Sequence, residues 1–322
     1  MAYGLDAVVS INFQNSFGTA ITNDNYFLPV LSNGVVLKKE AMTDTSLKGI
    51  YDVNGAVEGK NSNEGAIELQ SDSLAIGVML RALCGAATVI TSGSLRTHSF
   101  KPSQQGEDFD EFIANPPVTI ITDLDVGSAQ VFYDMCATGI ELNISNGEFV
   151  KATQNYIGGK YTRVNPPTAN YQDENLFPWD VTSVSFDGTA NCDFGELTIT
   201  IEEGIENKYN LCVNKTPSYT KRSDIRTIMI SGTVQFNDQV EFDEFISQTE
   251  RQLVVTLNSG TEVQSGYTES IKIDMPSFRY NTFEPSVGGP GLIEASIEGQ
   301  AVYNSGSATA IEFTLTNTQA AY

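Results

Sequence analysis

Apolar and polar residues alternate with a period of two along 118–122, 140–144, 197–201, 228–236, 252–257, 271–275 and 311–315. Successive side chains of a strand point to opposite faces, so this alternation predicts half-buried antiparallel strands. Gly, Asn, Asp and Pro between the stretches supply the turns. Two stretches read as helices instead. Over 73–84, Leu74, Val78, Leu80 and Leu83 fall largely on one face, and Gly85 is a natural stop. Over 240–251, Phe242, Phe245 and Ile246 share a face, with acidic residues early and Arg251 late, as the helix dipole favours. The fold class expected is all-β with minor helix.

Punctuation is densest near the middle, at Gly158-Gly159, Asn165-Pro166-Pro167 and the polar run to Asn175. This predicts two domains, 1–162 and 163–322. The halves repeat one order of parts. The first has strand signal over 28–37, a polar connection, a strand through 55–57, a helix, further strands and a close at 155–159. The second has strand signal over 177–201, a longer connection, a strand through 232–234, a helix, strands and a close at 298–303. The duplication lies in the pattern and not in residue identity.

Charge narrows the function. Of 322 residues, 40 are acidic and 18 basic, a net charge of −22, so the chain does not bind nucleic acid by neutralising phosphates. Cys84, Cys136, Cys192 and Cys212 show no CxxC spacing, and His98 is the only histidine, so neither a metal site nor a cofactor is expected. The first thirteen residues lack a basic stretch before an apolar block, and the longest apolar run, 74–83, is too short to span a bilayer and contains Arg81. Folding in a cytoplasm without disulfides, away from any membrane, is the expectation.

Catalytic constellations are lacking. No Gly-x-Ser-x-Gly elbow surrounds a serine, and a triad would have His98 as its sole base. The carboxylate clusters Asp108-Asp110-Glu111 and Asp123-Asp125 read as solvated loop or strand-end groups. Gly288-Gly289-Pro290-Gly291 reads as a turn, and Trp179 after Phe177-Pro178 reads as a domain-packing anchor. The chain is expected not to be an enzyme.

One order of motifs is specific. The segment 57–69, with Glu58 and Glu68, runs into the helix 73–85. Thr97-His98-Ser99-Phe100-Lys101-Pro102 follows, then the strand from Pro117. Phe177-Pro178-Trp179, the stretch 197–207, 230–236, Met275-Pro276, Phe283-Glu284-Pro285 and 313–317 complete it. In this order the chain resembles phage tail tube proteins with two tandem domains. The resemblance implies two tandem β-sandwich or barrel domains, each flanked by one α-helix. It also implies rings that stack into a hollow tube through which genomic DNA passes without specific binding. Three chains would close a ring with pseudo-sixfold symmetry, in preference to a hexamer in which one domain of each chain is a decoration. The implied partners are the chain itself, a tape measure protein, and tail terminator and baseplate proteins. The implied location is the virion tail, assembled in the host cytoplasm.

Within that frame, acidic residues on strands, Glu58, Glu68, Glu141, Glu202 and Glu298, are candidates for the lumen face, where like charge repels phosphate. The long connection 203–224 carries Lys208, Lys215, Lys221 and Arg222 and is the candidate inter-ring stacking loop. The connection with Lys38, Lys39 and Lys48 is its first-half counterpart. The competing reading is a β-sandwich binding or virion decoration module that uses Trp179 and the tyrosines.

Overall fold

The computed structural model describes residues 4–23, 25–46, 48–49, 51–104, 115–172, 175–211, 215–237, 239–287 and 291–322. The acidic run at 108–111, Cys212 and the turn at 288–290 lie outside the described residues. Strands make up 57% and helices 8%, the all-β class with minor helix that the alternation predicts.

The first half contains β1 (Val8–Phe13), β2 (Tyr26–Leu28), β3 (Val30–Asn33), β4 (Val36–Thr43), β5 (Ala56–Gln70) and α1 (Ser73–Cys84). It continues with β6 (Thr88–Ser92), β7 (Leu95–Phe100), β8 (Val118–Asp123), β9 (Ala129–Ser145), β10 (Lys151–Gly158) and β11 (Lys160–Val164). The second half contains β12 (Ser183–Phe186), β13 (Thr189–Asn191), β14 (Phe194–Glu202), β15 (Ile205–Lys208), β16 (Tyr219–Arg222) and β17 (Thr227–Gln235). It ends with α2 (Val240–Ser247), β18 (Arg251–Gln264), β19 (Tyr267–Ser286), β20 (Glu294–Ala301) and β21 (Glu312–Asn317).

Two long strands organise everything else. The first part of β9 lies in a sheet of order β2–β1–β8–β9–β11, and its second part pairs with β10, which pairs with β5, edged by β3 and β4. β19 is shared in the same way: its first part lies in β13–β12–β18–β19–β21, and its second part pairs with β20, which pairs with β17, edged by β14. The correspondence holds residue by residue. One constant added to the residue number turns Gln154↔Ile140 into Ile297↔Phe283, and Asn155↔Gly139 into Glu298↔Thr282. The same constant turns Tyr156↔Ala137 into Gly299↔Tyr280, and the residue skipped at the bulge, Thr138, into Asn281. Fixed offsets likewise carry Val30↔Leu69, Ser32↔Glu68 and Val36↔Glu64 onto Phe194↔Val234, Glu196↔Thr233 and Thr200↔Met229. Even the bulge at Leu31 recurs at Gly195. Bulges re-aim a strand at a defined place, so their recurrence marks one chain path used twice.

Where β9 bends between its sheets, Asp134 takes φ +56°, a conformation that Asp tolerates better than most residues. Its buried carboxylate accepts from Gln14 Nε2 (2.9 Å) and Gly18 N (2.8 Å) and pairs with Lys160 (2.8 Å). Such charge-assisted bonds offset the backbone cost.

Two strand ladders join the units. β9 pairs with β14 from Ser145↔Glu196 to Gly139↔Glu202, which makes one eight-stranded sheet of order β3/β4–β5–β10–β9–β14–β17–β20–β19. Gly139 permits the close approach, because a Cβ there would stand 2.4 Å from the Ile201 carbonyl oxygen. The second join is β21 on β7, from Phe313↔Phe100 to Asn317↔Arg96. Beyond β21 the chain folds back over α1, where Tyr322 Oη donates to the Ser73 carbonyl (2.8 Å) and His98 Nε2 meets the Gln319 carbonyl (3.0 Å).

α1 begins where Asp72 accepts hydrogen bonds from Leu74 N (2.8 Å) and Ala75 N (2.6 Å), and it stops at Gly85, as its sequence predicts. Its burial departs from the expected single face: every residue except Arg81 is buried, because β7, β19, β21 and Tyr322 cover the side away from β9. α2 is shorter than expected. It ends at Ser247, where Gln248 takes the left-handed conformation (φ +54°), and Arg251 opens β18 and pairs back to Glu244. None of its residues is buried. The anchor expected at Trp179 is Phe177 instead: Phe177 is fully buried and bonded to Ser71 and Val150, whereas Trp179 is 42% exposed.

Candidate functional site

The eight-stranded sheet has one apolar and one polar face. Leu69, Ala152, Leu142, Ile199 and Ile230 are buried on one side. On the other, cross-strand pairing forms the row Glu68, Thr153, Glu141, Thr200, Met229, Gln300 and Arg279. Beside it runs Gln70, Lys151, Asn143, Thr198, Ser231, Glu298 and Thr282. Four of the expected acidic residues, Glu68, Glu141, Glu202 and Glu298, therefore share this face. Glu196, Glu284 and Glu294 belong with them and were missed, although each sits in the polar phase of an alternating stretch. Lys151 and Arg279 are the bases in these rows, and Lys151 pairs with Glu148.

Glu58 lies elsewhere. It stands on the hairpin of β4 and β5, where Lys215 (2.9 Å) and Lys39 (3.0 Å) both reach it. Lys215 first, then Lys39 and Asn61, hold its carboxyl down at about 2. This brings the two candidate stacking loops into contact. Asn61 N donates to the Lys215 carbonyl (2.8 Å), Tyr209 Oη donates to the Asn61 carbonyl (3.1 Å), and Lys60 lies over the Tyr209 ring (4.8 Å).

Each cation named for these loops has a partner within the chain. Lys38 pairs with Glu64, Lys48 with Asp44, Lys208 with Glu206 and Arg222 with Glu203, while Lys221 lies over Tyr219 (4.7 Å). The connection itself is a hairpin, β15 on β16, at the place in the second unit that the β4–β5 hairpin holds in the first. Tyr51 and Val53 near one tip and Leu211 near the other are exposed apolar groups.

The root of the second hairpin rests on a residue that sequence patterning did not single out. Glu203 is fully buried and accepts from Arg226 Nε (2.7 Å) and from Arg222, and Arg226 also donates to the Ser103 carbonyl (3.0 Å). Among the described residues no group of His, Cys, Asp and Glu is placed to hold a metal ion. Burial pushes the Cys84 thiol up, and that of Cys136 up to about 12, so neither is a thiolate near neutrality. His98 is buried between Phe100 and Tyr322, and burial lowers its pKa. The arrangement offers strand edges, a charged face and two hairpins in contact.

No curated protein matches the chain. The family model described as phage tail tube protein matches residues 4–301, nearly the whole length. The chain therefore belongs to the phage tail tube protein family and is a structural component of the virion tail.

Proposed function

We propose that three copies close head to tail into a ring, and that stacked rings form the conduit through which DNA leaves the virion. The observation that carries this reading is the β9–β14 junction within the chain. It joins the trailing edge of one unit to the leading edge of the next, and it leaves the same two kinds of edge open at the ends of the sheet. Among the described residues, β3 and β4 pair only with β5, and β19 beyond Phe278 only with β20. A heterologous contact of this kind closes a ring when its rotation divides a full turn.

The β9–β14 pairing places both units in one sheet, and with both in the wall strand spacing favours three copies over six. Three copies supply about 24 strands, which at ~4.8 Å spacing and ~40° tilt enclose a circle of roughly 48 Å diameter. Side chains narrow that circle, but it still admits a DNA duplex. Six copies with all strands in the wall would roughly double the diameter. The acidic face is assigned to the lumen, where Glu68, Glu141, Glu202 and Glu298, with Glu196, Glu284 and Glu294, repel passing phosphates.

The duplicated units correspond to two domains. The divide is best drawn after Val164, because a cut at 162 would fall inside β11 and part Arg163 and Val164 from their partners Gln130 and Ala129 on β9. The paired hairpins are assigned to the ring face, where they contact the next ring. Assembly in the host cytoplasm with a tape measure, terminator and baseplate completes the proposal. Symmetry analysis of negatively stained protein tests it: stacked rings of three chains support the reading. Monomers that persist at high concentration would favour a binding or decoration module instead.

A further inference from the structure

We infer the register and the covering helix of the seam that closes the ring, resting on the tube reading above. β19 occupies in the second unit the place of β9 in the first, and β3 with β4 occupies in the first the place of β14 in the second. The internal junction therefore serves as a template for the external one. Glu141↔Thr200 maps onto Glu284 opposite Val36 of the next copy. Ile140↔Ile201 maps onto Phe283 opposite Leu37, Leu142↔Ile199 onto Pro285 opposite Val35, and Gly139↔Glu202 onto Thr282 opposite Lys38.

Side-chain phase supports this register independently. Phe283 and Val35 are buried, and Leu37 packs against the core, so apolar residues meet on the core side. Glu284, Val36 and Lys38 are exposed, and Glu284 stands diagonal to Lys38, an attractive pair across strands. A slip of one residue would set Phe283 opposite the exposed Val36 or Lys38 and lose both matches.

The helices supply the second observation. α1 packs on β9 of its own unit and is roofed by β19 and β21 of the following unit. α2 packs on β19, but among the described residues no following unit supplies the counterpart roof of β9 and β11. Ile246 is accordingly 64% exposed, although it sits on the helix's apolar side. The occupant is the first unit of the next copy. Arg163, exposed on its β11, brings positive charge to a helix that carries Glu241, Asp243 and Glu244.

The test uses the full chain with Cys192→Ser, which removes an exposed thiol, plus Val36→Cys and Glu284→Cys. These positions lie on strands at opposite ends of the sheet, so a disulfide between them joins different molecules. Directly opposed strand residues stand ~4.5–5.5 Å apart at Cα, within the range that a disulfide spans. Oxidised assemblies should give covalent species of two and three chains on a non-reducing gel. Leu37→Cys with Glu284→Cys, which points the thiols to opposite faces, should give few. Ile246→Asp should leave a folded chain that forms no rings. Rings visible by microscopy but not cross-linked by the first pair, or cross-linked better by the second, overturn the register and leave the tube reading standing. Rings of normal abundance from Ile246→Asp overturn the helix contact. A parent protein that forms no rings overturns both the seam and the tube reading.

Discussion

Gly77 of α1 and Tyr322 make a pair whose behaviour should reverse with context. A Cβ at position 77 would stand 2.1 Å from Tyr322 Cζ and 2.4 Å from its Oη, so Gly77→Ala must expel the ring or shift the helix. Expulsion breaks the 2.8 Å bond from Tyr322 Oη to the Ser73 carbonyl and the edge-on contact with His98 at 5.0 Å between centroids. A hydrogen bond contributes about 1 kcal/mol and an aromatic pair ~0.5–1.5 kcal/mol, so losing Tyr322 should cost roughly 2 kcal/mol. Alanine in mid-helix is worth about 1 kcal/mol over glycine, so Gly77→Ala alone should destabilise by about 1 kcal/mol net. In a Tyr322→Ala background the clash is gone, and the same substitution should stabilise by up to ~1 kcal/mol. A double-mutant cycle from urea denaturation should therefore give a coupling of roughly 2 kcal/mol and a change of sign. Additive effects, with Gly77→Ala destabilising in both backgrounds, would refute the reasoning that the tail clasps α1 through this contact.

Further outcomes follow from the site. Glu203→Gln keeps the shape but strips the buried carboxylate from Arg222 and Arg226, and should cost ~3–5 kcal/mol in denaturation; an unchanged urea midpoint would contradict the buried pairing. Tyr51→Ser with Leu211→Ser should leave thermal stability within about 0.5 kcal/mol, since both are exposed, yet leave single rings that do not stack; normal long tubes in micrographs would remove the hairpin tips from the stacking contact. Glu58 has a carboxyl depressed from 4.5 to about 2 by Lys215 and Lys39, so the hairpin clasp should be complete above pH 4.5 and lost as pH falls through about 2. An NMR titration of the Glu58 side chain reads this midpoint, and Lys215→Met should raise it; a midpoint near 4.5 in the parent protein would exclude the contact.

Much of this was legible in the sequence, because alternation reports burial on one face and little else. The strand stretches and α1, with its Gly85 stop, needed only local pattern. The acidic face was accessible in part for the same reason: Glu68, Glu141, Glu202 and Glu298 lie in polar phase on strands that turn out to be neighbours. Alternation does not say which strands are neighbours, and Glu58 shows the limit. Its phase resembles that of Glu68, but it lies beyond the sheet, on a hairpin held by Lys215 from the other unit. The end of α2 falls earlier than its sequence suggests, because Phe242, Phe245 and Ile246 share a helical face and Arg251 suits the negative end of a helix dipole. The left-handed turn at Gln248 and the return of Arg251 to Glu244 depend on where β18 must start. Glu203 was missed because a glutamate at a strand end is ordinarily solvated, and its burial comes from Arg222 and Arg226 folding back over it.

The two helices are treated unequally, α1 buried and α2 not, and in the proposed ring this would separate the junction within the chain from the seam between copies. Within the chain the junction has strand pairing of β9 with β14, the roof over α1, and a further clasp of β7 on β21 with Tyr322 against Gly77. The second unit runs from α2 at Ser247 to β18 at Arg251 with no hairpin corresponding to β6 and β7. A seam between copies can thus reproduce the first two elements but not the clasp. The internal junction is covalently tethered and extensively buried, whereas the proposed external one would rely on a strand edge and a helix with no buried residue. In the proposed ring this would make the seam between copies the weaker of the two. In that ring the chain would act as a closed pair with one leading and one trailing edge, and α2, none of whose residues is buried in the single chain, would gain its cover only when another copy arrives.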